Sequence, residues 1–267
     1  MDIGETTMLT EEQIKQFHAD GYLRGGQVVS DEDVEVLRSE VLRVIEARHG
    51  PGKQPVLCHN FGKEEAPVWQ IVNIWEASEP FFALIHNPMI VEEMAQLTVA
   101  KNLRIWHDQI QYKPANTGGV NMWHQDAPLW PILAPMTEVT SWVALDDVDP
   151  ENGCMSMVPG SHLWGNHMDM LAKLPNFESM ITEFEGHSVE VRTCPVKKGE
   201  VHYHHALTWH GSNVNHSGRP RRAIALHFMT DATRFVASGE HVMKPFVHVS
   251  DGEVMSGDHF PLVYARD

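Results

Sequence analysis

From residue 100 onward the chain is written in short alternating segments. They read LRIWHDQIQYKP, EVTSWVALDDV, GCMSMVPGS, HSVEVRTCPV, GEVHYHH and RRAIALHFM, separated by Gly, Pro and Asn turns. Alternation with a period of two gives a strand one apolar face, and a set of such strands must bury that face against another sheet. This texture predicts a β-sandwich or jelly roll.

The preceding quarter reads as helical. Thr10 followed by Gln13 fits a capping box, with Leu9 and Ile14 placed as a hydrophobic staple. Ile14 and Phe17 share a face, and Gly21 stops this helix. Ser30 with acidic residues at 31 to 33 opens a second helix, whose buried stripe is Val34, Leu37, Val41 and Ile45 and whose end is Gly50-Pro51. A third helical region, about 79 to 98, is interrupted at Asn87-Pro88. No Gly/Ser linker and no repeat divides the sequence. The expected architecture is one domain over 1–267, mainly β with flanking helices. A helical part of about 1–98 packs outside a jelly-roll core of about 100–235.

Composition narrows the partners. With 20 basic and 36 acidic residues the net charge is −16, which repels phosphate backbones and anionic membranes, so neither nucleic acid nor membrane is expected. No apolar run reaches the ~18 residues of a membrane span. The opening MDIGETTMLTEEQ is acidic where a secretory leader would be basic, so the expected location is cytoplasmic. Cys58, Cys154 and Cys194 are widely spaced and form no CxxC, which fits reduced, core-filling thiols. A small-molecule substrate and a monomer or homodimer are expected.

The stretch that carries chemistry is MWHQDAPLWP, residues 122–131. In an extended segment His124 and Asp126 point the same way and Gln125 the other. Alone the motif is cheap. With 18 histidines in 267 residues, about one His-x-Asp arises by chance, and a second one, His167-Met168-Asp169, reads as surface. A metal site needs a third ligand, and two histidines with one carboxylate form the facial triad of non-haem Fe(II) oxygenases. The segment TWHGSNVNHSGRPRRAIALHF, residues 208–228, puts His210 at a strand end. In the strand after it, Arg222, Ile224, Leu226 and Phe228 share one face. Arg221, Ala223, Ala225 and His227 share the other, whose small residues leave room. An arginine at the mouth of such a cavity suits a carboxylate in fork geometry, which favours Arg221 over Arg222.

Taken with TSWVALDDVDPENGCMSMVPGSH, GEVHYHHALTWHGSNVN and the opening LTEEQIKQFHADGYL, these segments resemble the phytanoyl-CoA dioxygenase family of Fe(II)/2-oxoglutarate oxygenases. The resemblance runs in family order from about residue 9 to 230. It implies a double-stranded β-helix, a form of jelly roll, with His124, Asp126 and His210 as iron ligands. Arg221, eleven residues past His210, and Ser212 would hold the distal carboxylate of 2-oxoglutarate, with Trp142 packing beside it. Gln109, Gln111 and Lys113 share a strand face and are expected to line the same pocket. The implied cofactors are Fe(II), 2-oxoglutarate and O2. The implied reaction releases succinate and CO2 and hydroxylates an unactivated C–H of a small secondary metabolite or amino-acid-like molecule. The same cofactors also support desaturation, epoxidation or ring formation.

Other readings are weaker on the residues. A non-catalytic relative that binds metal or 2-oxoglutarate would not need the full set of ligands and arginine. A zinc hydrolase would have no use for Arg221. A halogenase would vacate the place of Asp126. His202, His204 and His205 are expected to pack or hydrogen-bond around the site, and the PENG and VPGSH turns, with Gly153 and Gly160, to shape it. Trp130 and Leu129, with Ile132 and Leu133 in APLWPILAP, are expected to cover the substrate. A coenzyme A ester would need a basic patch, for which Lys197, Lys198, Arg219 and Arg222 are the candidates.

Overall fold

The computed structural model describes residues 9–60, 68–116 and 119–266. Residues 1–8, the start of the expected helical part, lie outside them.

Helix α1 (Glu11–Asp20) forms as its caps dictate. Thr10 Oγ1 accepts from the Gln13 backbone N–H, and the Gln13 side chain accepts in return from Thr10 N–H. Gly21 ends the helix at φ 78°, a left-handed position that only glycine takes without strain. Ser30 caps α2 (Asp31–Ala47), which buries Val34, Leu37, Val41, Val44 and Ile45 and stops three residues before Gly50. The third helical region is two helices, α3 (Glu79–Ile85) and α4 (Pro88–Thr98). The Asn87 carboxamide accepts from Met89 and Ile90 N–H and so starts the second.

Three strands were not expected before residue 98. They are β1 (Tyr22–Gln27), β2 (Leu57–Asn60) and β3 (Trp69–Val72). The last two are four residues long, too short to show a period, and β1 carries two glycines in YLRGGQ. They flank a central set made of β4 (Asn102–Lys113), β7 (Val139–Ala144), β12 (Glu200–His205) and β14 (Arg221–Thr230). The sheet order is β1-β12-β7-β14-β4-β3-β2, with β16 (Leu262–Ala265) also pairing with β4. That last strand extends the β core past residue 235. A smaller sheet runs β11 (Arg192–Cys194), β8 (Met155–Met157), β13 (His210–Ser212), β5 (Asn121–His124). Two-residue ladders join β6 (Leu133–Ala134) to β15 (Arg234–Phe235) and β9 (Glu183–Phe184) to β10 (His187–Ser188).

The alternation in β14 places the layers. Ile224, Leu226 and Phe228 pack with Val34, Phe81, Ile90 and Met94 under the helices. Ala223 and Ala225 face the smaller sheet with Trp142, Met155 and Met157. A slip of one residue would drive three large side chains into the narrow space that Ala223 and Ala225 leave and put small ones under the helices, so the register is firmly set. A bulge in β4 at Trp106 keeps His107, opposite His227, on the inner face while Ile105 stays on the helix side. The expected jelly roll with helices outside is what the chain forms.

Candidate metal centre

The centre is built on one cross-strand pair. His210 at the start of β13 lies directly opposite His124 at the end of β5, with ring centroids 4.1 Å apart. β5 ends at His124, and Asp126 sits on a helical turn (φ −72°, ψ −50°) instead of the extended segment expected from sequence. Gln125 is nonetheless turned away as expected. Its carboxamide donates to Gly165 O and Leu207 O and ties the turn down. Asp126 Oδ1 therefore reaches back to within 3.6 Å of His124 Nε2 and 3.5 Å of His210 Nε2.

Among the described residues these three form the one group of His, Cys, Asp and Glu side chains able to hold a metal ion, with all donor atoms within 4.8 Å of one another. Their protonation suits a cation. His124 Nδ1 faces Met122 O at 2.7 Å and His210 Nδ1 faces Thr208 O at 2.9 Å, so each Nδ1 carries the hydrogen and each Nε2 presents a lone pair inward. Burial, with His210 alongside, pushes His124 down to about 4. Burial also lowers His210. Burial works against the charge of Asp126, but His210 and His204 outweigh it and hold the carboxyl well below the usual range.

The second oxygen of Asp126 is held from behind. His204 Nε2 donates to Oδ2 at 3.2 Å and Thr140 Oγ1 at 3.4 Å, while His227 Nδ1 lies 2.7 Å from Thr140 Oγ1. Such outer partners fix the angle at which a carboxylate meets its metal. Sequence reasoning expected His204 near the site but missed Thr140. The parity of β7, which puts Thr140 on the face of Trp142, was the available signal.

Beyond the histidines lies a pair of buried basic side chains. Arg221 is fully buried, and its Nη2 donates to Gly153 O at 3.0 Å and Ser212 Oγ at 3.1 Å. Its Cζ stands 5.3 Å from the centre of the Trp142 ring, while Nε and Nη1 have no partner among the described residues. Lys113, opposite Arg221 in register, donates to Ser212 Oγ at 2.7 Å, Ser212 O at 3.1 Å and Asn213 O at 2.6 Å. Trp142 Nε1 donates to Gln111 Oε1 at 3.3 Å. Gln111, Trp142 and Ser212 thus share the small inner cavity with the three candidate ligands.

The sequence profile of the phytanoyl-CoA dioxygenase family matches residues 17–223, which hold the three candidate ligands, Ser212 and Arg221. The chain belongs to the phytanoyl-CoA dioxygenase family. Among its relatives is the peroxisomal phytanoyl-CoA dioxygenase of Rattus norvegicus, 23% identical over 264 residues that cover 92% of this chain and 77% of the relative. A protein of Stutzerimonas stutzeri, named probable alpha-ketoglutarate-dependent hypophosphite dioxygenase, is 25% identical and covers 86% of this chain and 82% of its own. Among solved structures, SnoK, a non-heme alpha ketoglutarate dependent carbocyclase from nogalamycin biosynthesis, matches with a TM-score of 0.77 at 25% identity. The match covers 97% of this chain and 98% of that one.

The remaining expected positions of this family member divide. Gln109, Leu129 and Trp130 line an outer cleft of about 550 Å³ that opens on His124 and Asp126. Trp130 is buried edge-on against His227, whereas Leu129 is 48% exposed at the rim. His167 is half-buried rather than on the surface, because its ring packs edge-on against Phe184 and bonds Trp164 O. The basic patch is neutralised. Lys197 pairs with Asp147, Lys198 with Asp31 and Glu35, Arg219 with Asp149, and Arg222 with Asp146. No helix among the described residues is long and apolar enough to cross a membrane.

Two expected results follow from this geometry. Gly153 adopts φ 82°, and a Cβ there would stand 2.5 Å from Asn213 O, so Gly153→Ala should cost about 1–3 kcal/mol. Thermal unfolding checks this, and an unchanged Tm would contradict it. In the metal-free protein burial pushes His124, His227 and His241 down to about 4. Burial also lowers His107, His202 and His210. The unfolded chain then takes protons first, so stability present at neutral pH should be lost as pH falls from about 6.5 towards 4. A Tm constant across that window would refute the buried, neutral state of these rings.

Proposed function

We propose that the chain is an Fe(II)- and 2-oxoglutarate-dependent dioxygenase that hydroxylates an unactivated C–H of a small metabolite. His124, Asp126 and His210 hold the iron. Arg221, Ser212, Lys113 and Gln111 hold 2-oxoglutarate beside Trp142. The observation that carries this reading is the pair of buried basic side chains. Two basic side chains that share one hydroxyl, with guanidinium nitrogens unpartnered and no carboxylate among the described residues against them, fit an anionic group that enters the cavity. The donor set beside them, two neutral imidazoles and one carboxylate, fits iron.

Bound iron with 2-oxoglutarate would activate O2 for C–H oxidation with release of succinate and CO2. The chain's own residues do the rest. His204 and Thr140 fix the Asp126 carboxylate so that Oδ1 faces the two imidazoles. The Trp142 ring beside Arg221 walls the cosubstrate end against water, which strengthens every charge interaction inside it. Gln109, Leu129 and Trp130 line the outer cleft and orient the substrate. The only lysine or arginine on that cleft among the described residues is Lys113, whose ammonium is turned to Ser212. With the surface patch neutralised too, an uncharged substrate fits better than a coenzyme A ester.

The likeness to a carbocyclase favours a second reading, ring formation, which shares the first hydrogen removal and differs in substrate placement. One experiment tests both. The protein is loaded with Fe(II) and 2-oxoglutarate without oxygen, then mixed with oxygen and a metabolite panel, and products are weighed by mass spectrometry. Hydroxylation adds one oxygen atom, and ring formation removes two hydrogens. Formation of succinate with no product of either kind from any neutral metabolite, but with oxidation of an anionic one, would overturn the substrate assignment.

A further inference from the structure

Ser212 is contacted by two basic side chains that no anion among the described residues balances. Lys113 Nζ and Arg221 Nη2 both lie within 3.1 Å of Ser212 Oγ, and both side chains are buried. The titratable and charged groups facing Lys113 are Arg221 on the adjacent strand and the Cys154 thiol ahead of β8. Asp146, on the far side of Arg221, is committed to Arg222 and Arg38.

Hydrogen counting distinguishes two states of this cluster. With a charged Lys113, three N–H donors meet three oxygens: Ser212 Oγ, Ser212 O and Asn213 O. Ser212 Oγ then accepts from both cations, and its own hydrogen is free to point into the cavity. With a neutral Lys113, two N–H donors serve the two carbonyls, and the nitrogen lone pair accepts the Ser212 hydroxyl hydrogen. In that state Ser212 has no hydrogen to offer a ligand.

Resting on the functional reading above, we propose that Lys113 is stored uncharged in the free protein and takes one proton from solvent when 2-oxoglutarate binds. That proton swings the Ser212 hydroxyl from Lys113 to the distal carboxylate. The lysine yields its charge before the arginine because an ammonium loses more hydration on burial and starts from a lower pKa. Burial and the neighbouring guanidinium bring Lys113 down to about 6, while Arg221 falls only to about 10. The carboxylate supplies the missing counter-charge and lifts the lysine again. Binding is then linked to protonation. Affinity is greatest below about pH 6 and weakens up to tenfold per pH unit above it, until the pKa of the bound state is reached.

The test is calorimetric titration of 2-oxoglutarate into protein loaded with Fe(II) without oxygen, at about pH 7.5, in buffers of differing ionisation enthalpy. The slope of heat against that enthalpy counts protons. Uptake should approach one proton for the wild type and vanish in Lys113→Met and Lys113→Arg, whose affinities should be flat with pH. The wild-type buffer series stands alone if a variant fails to fold. Binding with no proton uptake, or equal uptake in a folded Lys113→Met, overturns the proposal while leaving the cosubstrate reading intact. No binding of 2-oxoglutarate at all overturns both.

Discussion

Asp126→Ala should lose Fe(II) binding by at least about 100-fold and turnover with it. Asp126 is the one anionic donor among the three, and both of its oxygens are committed. Oδ1 faces the two imidazoles and Oδ2 accepts from His204 and Thr140. Loss of an outer partner alone typically costs 10–100-fold in metal affinity. Loss of the ligand removes the charge as well and leaves the His204 and Thr140 donors unsatisfied in a buried place. Asp126→Asn tests the charge separately, since it keeps the shape but places an amide between the imidazoles. Equilibrium dialysis against Fe(II) without oxygen reads the loss directly. Near wild-type affinity in Asp126→Ala would remove His124 and His210 from the ligand set too, because neither has another described anion beside it.

Arg221→Met should weaken 2-oxoglutarate binding by about 2–5 kcal/mol, tens- to thousands-fold in Kd, and leave the metal-free fold as stable or more stable. The two halves of this result have one cause. Arg221 is a fully buried cation with two unpartnered nitrogens, beside Lys113. An uncompensated buried charge opposes folding, and an apolar side chain of similar size removes that penalty. The same missing partner is what the distal carboxylate would supply. A binding role therefore shows as higher or equal Tm together with lost affinity for 2-oxoglutarate. A purely structural arginine would show the opposite, a lower Tm with affinity unchanged. Arg222 is the control. It is already paired with Asp146 in a fork, so Arg222→Met should lower stability without touching cosubstrate binding.

The difference between these two neighbours was legible in the sequence. Ala223, Ala225 and His227 share the face of Arg221, while Ile224, Leu226 and Phe228 share that of Arg222, and period two does the rest. The α1 caps at Thr10 and Gly21 and the break at Asn87 were equally readable, because capping is local chemistry. What the sequence could not show is set by pairing between distant strands. β2 and β3 are four-residue strands whose identity comes from joining β4, not from their own pattern. Lys113 was placed in the pocket by its parity with Gln109 and Gln111. Its grip on Ser212 follows from the register that sets it opposite Arg221, 108 residues later. Thr140 was missed for the same reason. It meets Asp126 only because β7 lies between β12 and β14. The turn that ends β5 at His124 breaks the alternation expected through Asp126, yet the carboxylate still arrives at the two histidines.

The most direct test of the account is succinate formation from 2-oxoglutarate by the Fe(II)-loaded protein under oxygen, with Asp126→Ala in the same assay. The wild type should form succinate only when both metal and oxygen are present, and the variant should form none above background. Succinate from both proteins at equal rates, or from neither, would contradict the assignment of His124, Asp126 and His210 as the iron site of a 2-oxoglutarate oxygenase.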